Sequence, residues 1–353
     1  MIAVKFGVLY LPTYVPELDG PEATFYARML EQIELADELG YQDVWLTEHH
    51  FDVYGGSVPN PAVFGALVAA RTRRIRIGTA VTVLPLHNPL SVAEDFAMLD
   101  VISGGRLDFG LGRGSVQREA EEFGLTDTSA ALTAEAAELI IRLWRDERVE
   151  HRGTHFQANG IRLLPRPIQR PHPPIWVGAS RTPDTFAWAG RQGFHLMVLP
   201  YMMSPSEMKE RLDIYWGAAR QAGHDLSRLE VMAKFHVFVA GSAAEASRVA
   251  APAYDNYQEI ASARTRRERL PWRLGSSWDQ HRAENKVIGG TPEDCIEQIG
   301  YWQDTLGLTH IGGTFHFGGL DQAATLHSLD LFARHVAPAF TSVESPASAG
   351  PAR

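Results

Sequence analysis

Eight short apolar runs, each followed by a stretch whose apolar residues fall three or four positions apart, constrain this chain more than any other feature of its sequence. The runs cover residues 4–10, 43–47, 75–84, 107–111, 175–177, 196–199, 231–239 and 310–315. They read as strands, and the helical stretches between them make those strands parallel, because a parallel pair needs a crossover long enough to hold a helix. Helix punctuation supports this. Phe25, Met29, Ile33 and Ala36 form a stripe that ends at Gly40, Thr291-Pro292-Glu293-Asp294 opens a helix striped by Ile296, Ile299 and Trp302, and Leu329, Phe332 and Val336 mark the last helix. Eight such units predict a closed (β/α)8 TIM barrel over an open doubly wound sheet. Residues 1–340 are then one domain, although a chain of 353 residues could hold two.

Three segments break the alternation. Residues 151–169 predict a polar hairpin and a connector in which Pro165, Pro167, Pro171, Pro173 and Pro174 exclude helix. Residues 263–290 form a long polar insertion, and residues 341–353 a frayed tail outside the fold.

The chain is 45% hydrophobic and 21% charged, the balance of a globular protein. A net charge of -9 with scattered basic residues argues against a nucleic-acid partner. No run of 18 apolar residues indicates a membrane span, and the N-terminus has no signal-peptide pattern, so the expected compartment is the cytoplasm. A single cysteine, Cys295, sits in a helical stretch and has no partner for an internal disulfide.

In such a barrel, function gathers where the strands end. The second run ends in Glu48-His49-His50-Phe51. Paired histidines there could transfer protons, bind a metal or merely bond a loop; a metal site is disfavoured because no other cluster completes it at a recognisable spacing. The third run continues through Gly78-Thr79-Ala80-Val81, small enough to let a planar ligand lie on the backbone or simply to fit the barrel taper. Gly110-Leu111-Gly112-Arg113-Gly114 ends the fourth run with an arginine suited either to a phosphate or to a structural salt bridge. After the fifth run, Ser180, Arg181 and Thr182 precede Pro183 at a helix start, which is an anion site in waiting, with Thr182 as N-cap.

Taken in order, these pieces resemble the luciferase-like, flavin-dependent monooxygenase family, most nearly its α-subunit branch. The resemblance spans about residues 4–338 and includes Ser103-Gly104-Gly105-Arg106, Pro174 to Ser180, and Gly290-Thr291-Pro292-Glu293-Asp294-Cys295-Ile296. It implies that His49 is the catalytic histidine, and that Ala80 and Val81 are joined by a non-prolyl cis peptide beneath an isoalloxazine ring. It also implies that Val177 packs beside the ring and that Arg113 and Ser180 grip an FMN phosphate. Two departures stand out. Gly112 occupies the place of luciferase's reactive cysteine, and Ala130 and Ala131 stand where a second phosphate-binding arginine is expected, leaving Arg181 as its substitute.

The implied reaction uses reduced FMN from a separate reductase, and O2, to oxygenate a small organic molecule through a C4a-peroxyflavin. Alternatives are an F420-dependent hydride transfer on the same barrel, and a non-catalytic barrel subunit. Family members usually dimerise through barrel helices, so a homodimer is expected, with residues 62–70 as a candidate face or as barrel core. The insertion at 263–290 is expected to act as a lid, with Trp272 and Trp278 closing over an apolar substrate and its arginines, Arg264 among them, at the rim or on the phosphate.

Overall fold

A computed structural model describes residues 3–114, 116–125, 130–267 and 276–340. Eight parallel strands form a ring: β1 (Lys5–Tyr10), β2 (Asp43–Leu46), β3 (Arg76–Thr79), β4 (Leu107–Gly112), β5 (Ile175–Gly178), β6 (His195–Val198), β7 (Val231–Val239) and β8 (His310–Thr314). Each pairs with its neighbour in chain order, and β8 pairs with β1 through Lys5↔His310 to Val8↔Gly313, so the sheet closes on itself as a TIM barrel. The third apolar run is broken in two, with Arg76–Thr79 and Thr82–Val83 separated at Ala80 and Val81. The polar hairpin is present as Val149–Arg152 against Gln157–Ile161.

Side chains alternate across the ring, as the pleat requires. Val8, Val44, Leu46, Ile77, Phe109, Leu111, Val177 and Val237 lie in the layer beneath the helices. Leu9, Trp45, Trp176, Met197 and Met232 point into the lumen. Helix starts follow the punctuation in the sequence: Thr291 and Asp294 form a reciprocal capping box on Pro292–Leu306, and Asn60 caps Pro61–Arg71.

The segment at 263–290 is built into the wall where it is described. Its first residues finish the helix Ala243–Arg267, Trp278–Ala283 is a short helix, and Ile288–Gly290 pairs in parallel with β7. Trp278 is fully buried and stacks on Phe317 with ring centroids 5.9 Å apart. Trp272 and residues 341–353 lie outside the described residues.

Charged groups close the lumen at the N-terminal end of the ring. Arg76 Nε lies 2.6 Å from Asp108 Oδ2, and His310 Nε2 lies 2.9 Å from Asp43 Oδ2. Burial alone would depress the His310 imidazole, but Asp43 and Glu230 outweigh it and push its pKa up to about 9. A raised pKa stabilises the fold fully below the unfolded value of 6.5, and the contribution is lost as pH rises through about 9. The shift corresponds to roughly 3 kcal/mol. The gap in melting temperature between the wild type and His310→Gln is therefore expected to be widest below pH 6.5 and to narrow toward pH 9. A gap that stays constant over this window would mean that His310 is uncharged in the fold.

Candidate active site

The strands deliver their C-terminal ends to one mouth. His49 follows β2, and its Nδ1 lies 3.2 Å from Glu119 Oε1 and 3.1 Å from Arg264 Nη2. Glu119 comes from the short helix Gln117–Glu122 after β4, and Arg264 from the last turns of Ala243–Arg267. These two side chains are themselves paired at 3.3 Å, and Arg264 also donates to the Tyr54 carbonyl. Arg264 is buried here rather than standing at a rim. Glu119 Oε1 accepts in addition from the His50 backbone N–H.

Burial holds the His49 pKa below the ordinary imidazole value, and the Arg264 guanidinium adds to this against the pull of Glu119. A neutral imidazole whose Nδ1 accepts from Arg264 carries its proton on Nε2. Among the described residues Nε2 has no hydrogen-bond partner. His49 is thus a partly exposed N–H donor at the mouth, held from behind. His50 has a different task. Its Nε2 and that of His87 both bond Glu48 Oε1, at 3.0 and 2.7 Å, while Glu48 Oε2 accepts from the Val83 N–H. No group of three metal-ligating side chains with the geometry of a metal site occurs among the described residues.

Small residues face the lumen on β3 to β5. The Ala80–Val81 peptide is cis, and Val81 projects between two glycines: a Cβ at Gly112 would come within 2.5 Å of Val81, and one at Gly178 within 2.9 Å. Val177, expected beside a ring, instead belongs to the layer under the helices, because alternation turns it away from the lumen and turns Gly178 toward it. The register pairs Leu111 with Val177, so Arg113 and Ser180 follow the ends of adjacent strands. Arg113, Ser180, Arg181 and Thr182 are all exposed. Neither Arg113 nor Arg181 forms an ion pair among the described residues, which removes the structural salt bridge as the reason for Arg113. Gly114 follows it at φ 77, a left-handed conformation that favours glycine. Thr182 occupies the cap position of Pro183–Gln192, yet its side chain makes no capping bond, leaving that helix start open to an anion.

The opposite sector, on β6 to β8, holds residues that spacing alone did not single out. Lys234 and His236 point inward from β7, with Lys234 Nζ 3.4 Å from both Tyr201 Oη and His236 Nε2. Tyr257 stands beside them and bonds Tyr54 Oη at 2.9 Å, which links this sector to His49 through the Arg264 guanidinium 5.0 Å above the Tyr54 ring. The available signal was a lone lysine inside a nine-residue apolar strand.

The model of the luciferase-like monooxygenase family matches residues 4–309. This chain belongs to that family. It is 34% identical over 227 residues to the oxygenase component of a flavin-dependent trigonelline monooxygenase of Acinetobacter baylyi, covering 63% of this chain and 61% of that one. Over nearly its whole length, 95% of this chain and 97% of the relative, it is 28% identical to the alkanal monooxygenase alpha chain of Photorhabdus laumondii. Its fold is similar to the crystal structure of the monooxygenase RslO1 from Streptomyces bottropensis, with a TM-score of 0.86 at 32% identity over 96% of this chain and all of that one. As a luciferase-like monooxygenase the protein is an enzyme of the flavin-dependent class, and its inward small residues, His49 and the strand-end arginine lie together at one barrel mouth.

Proposed function

We propose that this protein is the oxygenase component of a two-component system. It would take reduced FMN from a separate reductase and, with O2, oxygenate a small organic substrate held in the lumen. The observation that carries the proposal is the meeting, at one mouth, of His49, whose Nε2 has no partner among the described residues, and an anion site with no counter-charge among the described residues. The residues present fit FMN. Gly112 and Gly178 leave a flat floor around Val81 where any Cβ would intrude, and Arg113, Ser180, Arg181 and Thr182 supply donors for a phosphate at the rim.

Reduced FMN, when bound, supplies the electrons that activate O2. The chain's own part is to bind, orient and protect. Arg113 and the open helix start would hold the phosphate, and the glycines around Val81 would accommodate the ring. His49 presents the proton on Nε2 to the oxygen side of the site, and the Arg264–Glu119 pair keeps that proton off Nδ1. Packing of Trp278, Tyr254 and Phe317 on the β7 side keeps water out of the lumen.

Titration of the protein with reduced FMN and with reduced F420 under nitrogen tests the cofactor. Admission of air in the presence of a metabolite extract, with mass analysis for gain of one oxygen atom, tests the reaction. Tight F420 binding without FMN binding, or hydride transfer insensitive to O2, would overturn the proposal.

A homodimer is part of the same reading. On Pro61–Arg71, Phe64 and Val68 are buried while Val63 and Leu67 are exposed, and the neighbouring helix Pro89–Ser103 exposes Met98, Val101 and Ile102. An apolar patch shared by two adjacent helices is the kind of surface that a second copy covers. Leu67→Glu with Ile102→Glu should move the protein to the monomer position in size-exclusion chromatography with little change in melting temperature. An unchanged elution volume would place the interface elsewhere.

A further inference from the structure

The buried lysine of β7 has no counter-charge among the described residues. Lys234 is 4% exposed, and among the described residues its ammonium meets only the Tyr201 hydroxyl and the His236 imidazole, both at 3.4 Å. Its third N–H has no acceptor there. Burial alone, with no carboxylate near enough to oppose it, pushes the Lys234 pKa down to about 7. His236, buried beside it, is held well below its ordinary value and stays neutral.

A second polar group stands unused in the same sector. Thr314 on β8 is the register partner of His236, so its side chain points the same way, into the lumen. Its hydroxyl is buried and has no hydrogen-bond partner among the described residues. Buried polar groups are rarely left unpaired without a reason, and an unengaged hydroxyl on the strand beside an ammonium with a spare N–H has one natural complement. The walls around them are aromatic: the Lys234 ammonium sits 5.4 Å from the Tyr201 ring and 5.9 Å from the Tyr257 ring, with His236 packed on Tyr257 at 4.4 Å.

We infer that Lys234 and Thr314 form the recognition site for a substrate carboxylate, and that the substrate class is a small organic acid with a flat apolar body. A carboxylate has two oxygens for two donors, and its charge restores the ammonium that burial disfavours. The aromatic walls suit a planar body, and the chain of Tyr257, Tyr54 and Arg264 sets that body across the mouth from His49. The inference rests on the reading that the lumen holds the substrate, but its test needs neither turnover nor oxygen.

Calorimetric titration of the full-length protein with benzoate and with benzamide, which have nearly the same shape but differ in charge, reads the site directly. The titration is made with and without reduced FMN under nitrogen. Benzoate is expected to bind at least about tenfold more tightly than benzamide. Lys234→Met should abolish that preference and, by removing an uncompensated buried charge, raise the melting temperature; Thr314→Val should reduce the preference about threefold or more. Equal affinity for the two probes, binding of neither, or a preference that survives in Lys234→Met overturns the inference. A fall in melting temperature of the Lys234→Met variant does so as well, since it assigns the lysine a structural role. A failure of FMN to bind while benzoate still discriminates would instead strike at the cofactor reading and leave the carboxylate site standing.

Discussion

Replacing His49 by alanine should lower turnover about 100-fold or more, while reduced-FMN affinity stays close to that of the wild type. The expectation follows from what the side chain touches. Its Nδ1 accepts from Arg264, and its Nε2 has no protein partner among the described residues, so its removal breaks nothing that holds the phosphate floor on β3 to β5. Truncation does leave Arg264 and Glu119 in contact with each other, so the pair remains satisfied and the barrel should fold. The measurement is product formation under saturating reduced FMN, with an anaerobic titration in parallel. Full activity in the variant would remove His49 from the chemistry; a large loss of flavin affinity would make it a binding group instead.

Arg113→Ala should do the reverse. An exposed arginine with no ion partner among the described residues is free to meet a phosphate, and losing a charge-assisted bidentate contact costs about 1.5–3 kcal/mol, or about 10- to 100-fold in affinity. Arg113→Lys should recover only part of it, because an ammonium is a point charge and cannot reproduce the planar fork. At saturating flavin the alanine variant should turn over at nearly the wild-type rate. Unchanged affinity by titration would move the phosphate to another part of the mouth.

The two variants together separate a proton-handling group from a binding group, since one should change rate without affinity and the other affinity without rate. They also bear on Gly112. With no side chain at that position, and with Val81 filling the space that a Cβ would need, the floor of the site is made of backbone and one methyl-bearing side chain. It offers shape rather than reactivity, and in the proposed reading proton handling falls to His49 and charge recognition to the rim and to β7.

The sequence by itself determined the barrel, because eight strand-length apolar runs alternating with helical stripes can close only in a few ways, and local signals carried many of the details. Proline opened the helices at Pro61, Pro183 and Pro292, with side-chain caps from Asn60 and Thr291, and the residues just past each strand marked His49, Arg113 and Ser180 for the mouth. What only the tertiary structure decided was which face of each strand is inside and which distant side chains meet there. A two-residue period says that Val177 and Gly178 point opposite ways without saying which one faces the lumen, and the same phase turned Lys234, from the middle of an apolar run, inward. Glu119 and Arg264 lie 70 and 215 residues from His49 in the chain, so no spacing in the sequence could announce that they share its Nδ1. Contacts of that range exist only once the ring has closed and brought the loops after β2, β4 and β7 to one end, where burial lowers the His49 pKa.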